Sequence, residues 1–534
     1  CIRDRLIFEQ VQQLRQDEAV EGITIHVSGQ PMMVGWIYTY VGQILQIFLF
    51  TAAILVALLV LYFRRVYGVL LPLLGILLSS VWGLGIISLL GFNLDPLTLV
   101  VPFLISARAM SHGVQLVQRY YQELNIVEQA RDAARNTFDS LFRPGTLGVT
   151  SDAIGLLLIT LSSVPINVKL AYYASLWAFG VIFTVLVFIP LALTVLPHPG
   201  RSRRIPTSTG VRFQGMVNSI WNPAGARAVL GITAALLLGG AYLSSWVQIG
   251  EAEPGTPLLY PEHDYNLSSK AINTLFPGSE ELYVIARTAE KGGIKRPEVL
   301  RALESLQVHM LNDPDLGGAK GVPDLVKQVN RILHNDDPRW MQIPEESSYV
   351  GGLLFSYMAS SPVPGALKEF IDTDEQEANL VFYYKDHKGE TIRRAIHMVK
   401  EWVAQHGSSV EGLSIHLAGG SIGVMAAINE ASYSTNMLII PLVLGLIFVF
   451  VTLFYWSWHA GWLMLLAMSF STLLTYAYMG LSGVGINVNT VPIIAVGIGV
   501  GIDYSIYIMD RIREEMSRAS PVVPAVRKAI RTTG

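Results

Sequence analysis

The segment Gly412-Leu-Ser-Ile-His-Leu-Ala-Gly419 is matched earlier in the chain by Gly22-Ile-Thr-Ile-His-Val-Ser-Gly29. In both copies apolar residues alternate with other residues and the run ends in glycine, which predicts a β-strand that ends at a turn. A short predicted helix and a long apolar run follow each copy. The copies begin 390 residues apart, and a period of this length indicates a duplicated domain rather than a solenoid.

A second pair of matching segments extends the repeat. Arg119-Tyr-Tyr-Gln-Glu123 resembles Arg511-Ile-Arg-Glu-Glu515, which lies 392 residues further on, and each directly follows an apolar run. Parallel repeats of this kind are common in secondary transporters. Each copy contains parts that the other lacks. We therefore expect a chain truncated at both ends, from a parent protein with about twelve spans and two outside domains.

The composition indicates that much of the chain lies in lipid. Of the 534 residues, 51% are hydrophobic and only 15% are charged, whereas soluble globular proteins carry about 25% charged residues. The net charge of −3 gives no basic excess that would favour a nucleic-acid partner, and the single cysteine, Cys1, excludes an intrachain disulfide. No metal-ligand spacing or catalytic constellation is evident in the sequence. We therefore expect no cofactor, no metal and no enzymatic activity.

Nine apolar runs are long enough to cross a membrane as helices, which takes ~20 residues each. Several runs are separated by only a few residues, so buried helices of a soluble protein explain them poorly. The last run is interrupted by small and polar residues. The runs are 43–63, 67–90, 96–118, 146–163, 168–196, 227–248, 434–456, 460–482 and 488–510.

Basic residues are distributed unevenly between the loops. The short loops Gly91–Asp95, Val164–Asn167 and Ser482–Asn487 contain no Lys or Arg, whereas the loops that alternate with them contain several Arg residues. Since basic loops stay in the cytoplasm, the long segment between the sixth and seventh runs is predicted to be periplasmic, and the protein to lie in the inner membrane. The basic residues are Arg64, Arg65, Arg119, Arg131, Arg135, Arg143, Arg201, Arg203, Arg204, Arg212, Arg511, Arg513 and Arg518.

These features divide the chain into seven predicted segments. In order, they are the tail of a first periplasmic domain, a bundle of five spans, a cytoplasmic linker, the first span of the second copy, a second periplasmic domain, an incomplete bundle of three spans and a cytoplasmic segment. Their predicted bounds are 1–42, 43–196, 197–226, 227–248, 249–433, 434–510 and 511–534.

The second periplasmic domain is predicted to alternate strands and helices. Residues 282–288 and 378–385 have the period of strands, and residues 298–311 and 390–406 are predicted helices. A final strand at 413–418 completes an order in which helices lie between strands. This order favours an α+β domain of the ferredoxin-like βαβ type.

The last apolar run carries the most specific motif of the chain. It reads Gly497-Ile-Gly-Val-Gly-Ile-Asp-Tyr-Ser-Ile-Tyr507, and the Arg511–Glu515 segment follows it. This sequence resembles the glycine-rich Asp-Tyr span and its exit in RND (resistance–nodulation–division) exporters. The resemblance is strongest to their MMPL (mycobacterial membrane protein large) and hopanoid-exporter-like branch, which is related to Patched-type proteins with a sterol-sensing domain.

The resemblance implies a function as well as a fold. It implies a multi-span α-helical protein with two-copy RND architecture, whose first bundle is similar to a sterol-sensing domain (SSD). Such a protein couples inward proton flow to the export of a hydrophobic or amphiphilic, lipid-like substrate. The implied partners are membrane lipids and this substrate. The resemblance is also compatible with a periplasmic or outer-membrane partner and with a homo-oligomer.

Asp503 is the candidate proton site. A carboxylate inside a span costs ~2.5–3.5 kcal/mol on insertion scales, so an Asp at this depth is a functional hypothesis by default. The neighbouring Tyr504 is predicted to donate a hydrogen bond to it. The alternatives are a structural ion pair for Asp503 and a packed aromatic ring for Tyr504.

Small residues in the last run are expected to bring two helices together, because they let helix backbones approach closely. The match between the copies places this run opposite residues 107–112, where a similar pattern of small residues survives. The residues expected to pack together are Gly497, Gly499 and Gly501 with Ala107, Ala109 and Ser111.

The first copy departs from the family pattern at the proton site. The MMPL branch commonly carries the Asp-Tyr pair in both copies, but here Ser111 and His112 match Asp503 and Tyr504. The third run has a polar helix face instead, made by Arg108, His112, Gln115 and Arg119.

Arg108 lies in the middle of a predicted span, where an unpaired guanidinium is expensive, so a partner is expected. The candidates are Asp503 and Asp152, which lies in the fourth run. The hypothesis is an Arg108–Asp503 pair that His112 helps to protonate, because histidine is suited to shuttle protons near neutral pH. The alternative is a fixed polar plug in a degenerate first copy.

Two classes of function remain open at this point. The first is a proton-driven exporter, which the intramembrane Asp503 favours. The second is a membrane protein that senses a lipid or sterol without net transport, because the resemblance to sterol-sensing domains covers the same spans. Efflux that depends on a proton gradient would separate the two.

Overall fold

The computed structural model of this protein describes residues 2–93, 100–127, 129–197, 223–407, 409–517 and 521–532. Most of the predicted linker 197–226, with its four Arg residues, lies outside the described residues, as does Arg518. The chain divides into two units. One unit comprises Cys1–Ile44 with Gln248–Glu430, and the other comprises Leu45–Val247 with Ala431–Gly534.

Helices dominate the described residues. They are α1 (Ile2–Asp17), α2 (Gln30–Thr39), α3 (Val41–Phe63), α4 (Val66–Leu89), α5 (Val100–Glu123), α6 (Ala130–Leu157), α7 (Pro165–Val181), α8 (Phe188–Val195), α9 (Pro223–Ser244), α10 (Asp264–Leu275), α11 (Pro297–Met310), α12 (Val322–Leu333), α13 (Ser347–Ser360), α14 (Gly389–His406), α15 (Gly420–Tyr455), α16 (Trp458–Ser482), α17 (Thr490–Ser517) and α18 (Val522–Thr532). The strands are β1 (Glu280–Thr288), β2 (Leu316–Lys320), β3 (Glu377–Tyr384) and β4 (Leu413–Gly419).

Eight helical stretches among the described residues are long and apolar enough to cross a membrane. They coincide with eight of the nine predicted runs, which confirms a multi-span α-helical membrane protein. The remaining predicted run, 96–118, forms helix α5 from Val100 onward, but its polar face makes it less apolar than the others. The eight stretches are Gln30–Phe63, Val66–Leu89, Ala130–Leu161, Pro165–Val195, Ala224–Ser244, Gly420–Tyr455, Trp458–Ser482 and Thr490–Ser517.

Two membrane helices begin earlier than predicted. The predicted run 434–456 is the second part of α15, which is continuous from Gly420. The predicted run 146–163 begins inside α6, which is continuous from Ala130 and contains Pro144. The added part of α15 up to Glu430 belongs to the unit that contains the sheet, and the added part of α6 covers the predicted Arg-containing loop.

Paired polar groups lie among the buried apolar side chains in the interior of the membrane unit. The buried Trp177 of α7 donates from Nε1 to Oγ of Ser79 on α4, at 2.8 Å. Ser175 of α7 donates to the carbonyl oxygen of Ala153 on α6, at 2.6 Å. Most residues of α3 and α9 are exposed or half-buried instead, as is typical of helices that face lipid. By contrast, Arg108, Asp152 and Asp503 are buried, so the helices that carry them lie inside the bundle.

The α+β domain contains a four-stranded antiparallel sheet in the order β2-β3-β1-β4. Helix α11 follows β1 and α14 follows β3, so two βαβ units share one sheet, as in the ferredoxin-like fold. In the register, Val284 of β1 lies opposite Leu380 of β3 and Leu417 of β4. The predicted α+β class is confirmed, and the predicted strands and helices lie within two residues of the observed bounds.

Two strand assignments differ from the prediction. The segment Gly22–Gly29 matches β4 in sequence but forms no strand. A strand needs a partner, and β4 pairs with β1, whereas no described residue before Gly22 forms a strand that could pair with this segment. Strand β2 was not predicted, because Leu316-Gly-Gly-Ala-Lys320 has no alternation of apolar and polar residues.

A His–Glu pair joins the start of β1 to the loop before α14. Nδ1 of His387 lies 3.1 Å from Oε1 of Glu280. Burial by itself lowers the pKa of His387, but the hydrogen bond to Glu280 and the charges of Glu280 and Glu251 outweigh burial, so this pKa lies above its ordinary value. Burial raises the pKa of Glu280, but the hydrogen bond and the charge of His387 outweigh it, so this pKa lies below its ordinary value.

This pair is expected to stabilise the α+β domain between two pH limits. The pKa of His387 is raised on folding. The contribution of His387 to the stability of the domain is therefore full below the unfolded pKa of 6.5 and is lost as the pH rises through the folded pKa. Because the pKa of Glu280 is lowered, its contribution is lost only as the pH falls through that folded pKa. Amide-exchange protection of β1, measured by mass spectrometry on the intact protein, should fall as the medium becomes alkaline.

His387→Gln should remove this pH dependence, and the matched control is His397→Gln. His397 is an exposed histidine on α14 of the same domain. If protection of β1 keeps the same pH dependence in both variants, the ion pair does not contribute as described.

A buried charge cluster between three membrane helices

Asp503 of α17 lies in the interior of the membrane unit. It is 7% exposed, and its Oδ2 accepts a hydrogen bond from Nη2 of Arg108 on α5, at 2.6 Å. Nε2 of His112, one turn further along α5, lies 3.4 Å from the same oxygen. Arg108 and His112 are 6% and 1% exposed. The structure therefore places the predicted Arg108–Asp503 pair and His112 at one site.

The guanidinium of Arg108 also contacts a second carboxylate. Its Nη1 lies against Oδ2 of Asp152 on α6, and Asp152 is 3% exposed. The sequence offered Asp152 and Asp503 as alternative partners for Arg108, whereas the structure brings both to it. One cation thus bridges two anions that belong to different helices.

Two glycines make room for the two carboxylates. A Cβ atom at Gly148 of α6 would overlap Oδ1 of Asp503, and a Cβ atom at Gly499 of α17 would lie 2.6 Å from Oδ1 of Asp152. Each helix therefore carries the pattern Gly-x-x-x-Asp, and each Asp packs on the glycine of the other helix. The reciprocal contacts show that α6 and α17 run antiparallel.

The small residues do not pack as the sequence predicted. Gly501 faces Met468 on α16, whose Sδ would lie 3.1 Å from a Cβ, and Gly497 has no atom near its Cβ position. On α5, Ala109 is buried, Ser111 is half-buried and Ala107 is exposed. The predicted packing of these glycines on α5 is wrong, because Gly499 instead meets Asp152 of α6 and Gly501 meets Met468 of α16.

Tyr507, rather than Tyr504, belongs to the cluster. Its hydroxyl lies 2.8 Å from Nδ1 of His112, and a Cβ at Gly145 of α6 would lie 3.0 Å from this hydroxyl. Tyr504 is 57% exposed. Sequence reasoning missed Tyr507, although its position four residues after Asp503 places both on one helix face.

Helices α5 and α17 run side by side in the same direction. Three side-chain contacts join them with a constant separation of 395 residues: Arg108 with Asp503, His112 with Tyr507, and Arg119 with Glu514. The last contact joins Nη2 of Arg119 to Oε1 of Glu514 at 3.2 Å. The polar face predicted on α5 is therefore the face that meets the second copy.

The charges of the cluster do not balance without a proton. With both carboxylates ionised and His112 neutral, Arg108 leaves the cluster with one net negative charge in a buried site. A buried uncompensated charge is costly, and one bound proton on a carboxylate or on His112 removes it. The charge count of the cluster is therefore that of a site which one added proton would make neutral. Among the described residues, no group of His, Cys, Asp or Glu side chains could hold a metal ion.

Two glycine substitutions on α17 provide a test of this packing. Gly499→Ala should destabilise the protein by about 1–3 kcal/mol, because its Cβ would press on Asp152. Gly497→Ala should be neutral or stabilising by up to roughly 1 kcal/mol, because its Cβ meets nothing and alanine favours helix. Thermal unfolding in detergent micelles measures both, and equal effects of the two substitutions would contradict the packing.

The family model for the MMPL family matches residues 6–229 and 272–534, one match in each repeat. No curated protein sequence matches the chain significantly. Among solved structures, the chain is similar to SecDF, a translocon-associated membrane protein from Thermus thermophilus, with 19% identity and a TM-score of 0.49. That match covers 91% of this chain and 53% of SecDF, so this chain spans about half of that structure's length. On the two family-model matches, the chain belongs to the MMPL family of RND-type, transporter-like membrane proteins.

Proposed function

We propose that this protein is a proton-driven exporter of hydrophobic or amphiphilic, lipid-like substrates, with the buried charge cluster as its proton site. The observation that carries the proposal is that one guanidinium, Arg108, faces two buried carboxylates, Asp503 and Asp152. A site of this kind binds one proton to reach neutrality. A fixed structural ion pair would need only one of the two carboxylates.

The bound proton determines which of the two carboxylates attracts the guanidinium of Arg108. When a proton neutralises Asp503, Arg108 is held by Asp152 on α6. When the proton leaves, Asp503 on α17 again attracts Arg108. The bound proton thus changes the attraction between helices that belong to the two different copies.

Such a change is able to drive a rearrangement of the membrane bundle. A ligand shifts a conformational equilibrium only by the difference in its affinity for the two states. Here the ligand is the proton, and the contacts that differ are those of Arg108 with α6 and α17. Movement of one repeat against the other around a fixed site is the usual basis of alternating access.

The distribution of charge supports an orientation for the proton flow. Arg residues cluster in alternate loops, and cytoplasmic loops are the basic ones. The proposal therefore places the protein in the inner membrane, with the α+β domain on the periplasmic side. Protons enter from that side, and the substrate leaves towards it.

The proposal is tested by efflux from living cells. De-energised cells that express the protein are loaded with the fluorescent amphiphile N-phenyl-1-naphthylamine and then re-energised, and the loss of fluorescence is followed. Wild-type efflux should stop on addition of an uncoupler. Asp503→Asn and Asp152→Asn should each reduce efflux to the background of cells without the protein, because the cluster then no longer exchanges a proton.

Asp139→Asn is the matched control. Asp139 lies on α6, like Asp152, but its side chain is exposed and it lies away from the cluster. This variant should transport at the wild-type rate. Normal efflux by Asp503→Asn would refute the proton site. Binding of the probe by wild-type protein without energy-dependent efflux would favour the alternative of a lipid- or sterol-sensing protein.

A further inference from the structure

Tyr507 lies between the charge cluster and a cavity in the membrane unit that both polar and apolar residues line. Its hydroxyl is 2.8 Å from Nδ1 of His112, and Nε2 of the same ring is 3.4 Å from Asp503. Tyr507 also lines a cavity of about 460 Å³. Other polar residues that line this cavity are Gln115, Arg119, Asp510 and Glu514. One tyrosine side chain therefore contacts the cluster and borders the cavity.

The cavity lies towards the C-terminal ends of α5 and α17. Its lining includes Arg119 and Arg511, which directly follow the predicted runs 96–118 and 488–510 at their cytoplasmic ends. Under the proposed orientation, the cavity is therefore on the cytoplasmic side of Asp503. A proton that has entered from the opposite side has to leave in this direction.

Charged residues line the cavity near the C-terminal ends of α5 and α17. Nη2 of Arg119 lies 3.0 Å from Glu123 and 3.2 Å from Glu514, and Nη1 of Arg511 lies 2.6 Å from Glu514. The cavity is large enough for several water molecules, and its polar lining residues can bond to them, since a water takes about 30 Å³ and needs two to four polar partners. The carboxylates of Asp510 and Glu514 are able to accept a proton through such waters.

We propose that the proton leaves the cluster through His112 and the hydroxyl of Tyr507 into this cavity. Tyr507 is then the gate between the buried carboxylates and the cytoplasmic side. The inference rests on the proposed function and names the path by which its proton is released. It differs from an exit through the tyrosine that directly follows the Asp, because Tyr504 is exposed rather than bonded to His112.

One proton leaves Asp503 and one proton reaches the cavity. A neutral His112 that carries hydrogen on Nδ1 takes the proton of Asp503 at Nε2 and becomes an imidazolium. Its Nδ1 hydrogen passes to the oxygen of Tyr507 while the original hydroxyl proton passes to a water or carboxylate in the cavity. Tyr507 is neutral before and after the step, and His112 is left with hydrogen on Nε2. Rotation resets the hydroxyl of Tyr507, and His112 regains its starting tautomer when water from the cavity takes the Nε2 hydrogen and returns one hydrogen to Nδ1.

Two tyrosine substitutions on one helix test this route. Tyr507→Phe keeps the ring and removes only the oxygen, and uncoupler-sensitive efflux should fall by roughly a hundredfold, the lower end of what a positioned proton-transfer group contributes. Tyr504→Phe is the matched control, because Tyr504 lines the same cavity without contacting His112. That variant should transport at the wild-type rate.

A third variant separates proton transfer from a structural role. Tyr507→His replaces the hydroxyl with another group that carries protons, and it should recover part of the lost efflux with a new dependence on cytoplasmic pH. A purely structural role of the phenol would not give this recovery. If Tyr507→Phe does not fold, the folded Tyr507→His variant tests the route by itself. Efflux with a shifted pH profile would then support the route, and absence of efflux would overturn it.

The outcomes also separate this inference from the proposed function. Normal efflux by Tyr507→Phe with no efflux by Asp503→Asn would overturn the exit route and leave the proton site intact. Equal losses in Tyr507→Phe and Tyr504→Phe would likewise overturn the route, because the effect would then belong to the cavity in general. Normal efflux by Asp503→Asn would overturn both.

Discussion

The contact of Arg108 with two carboxylates is the constraint on which the membrane unit depends. A guanidinium in the middle of a membrane helix is tolerated only with partners, and Asp503 and Asp152 supply them from two further helices. Removing one member of a buried ion pair typically costs about 3–5 kcal/mol, because the other charge stays behind unpaired. The three helices α5, α6 and α17 are thus tied together at one point.

The surrounding residues follow from this contact. Gly148 and Gly499 remove side-chain volume where each carboxylate reaches across to the other helix. His112 and Tyr507 continue the line of polar groups between α5 and α17. The two repeats therefore meet here through polar rather than apolar side chains. Under the proposed function, this polar contact between the repeats is where a bound proton acts, a role that close packing of small residues alone would not provide.

The α+β domain was more predictable than the site in the membrane. Strands β1, β3 and β4 and helices α11 and α14 have regular periods, and their order identifies a ferredoxin-like sheet. Strand β2 has no such period and was missed. The segment Gly22–Gly29 has the right period but is not a strand, because hydrogen-bonded pairing depends on a neighbour that periodicity does not report.

The sequence by itself determined the class of this protein, the positions of its membrane helices, the duplication and the unusual polar residues Arg108, His112, Asp152 and Asp503. These features are local or periodic, and hydropathy and spacing report them directly. Only the tertiary structure decided that Arg108 contacts both carboxylates and that α6 rather than α5 packs on Gly499. It also decided that Tyr507, rather than Tyr504, contacts His112. The physical reason is that these facts depend on how helices far apart in the chain are rotated and shifted against one another, which no single helix encodes.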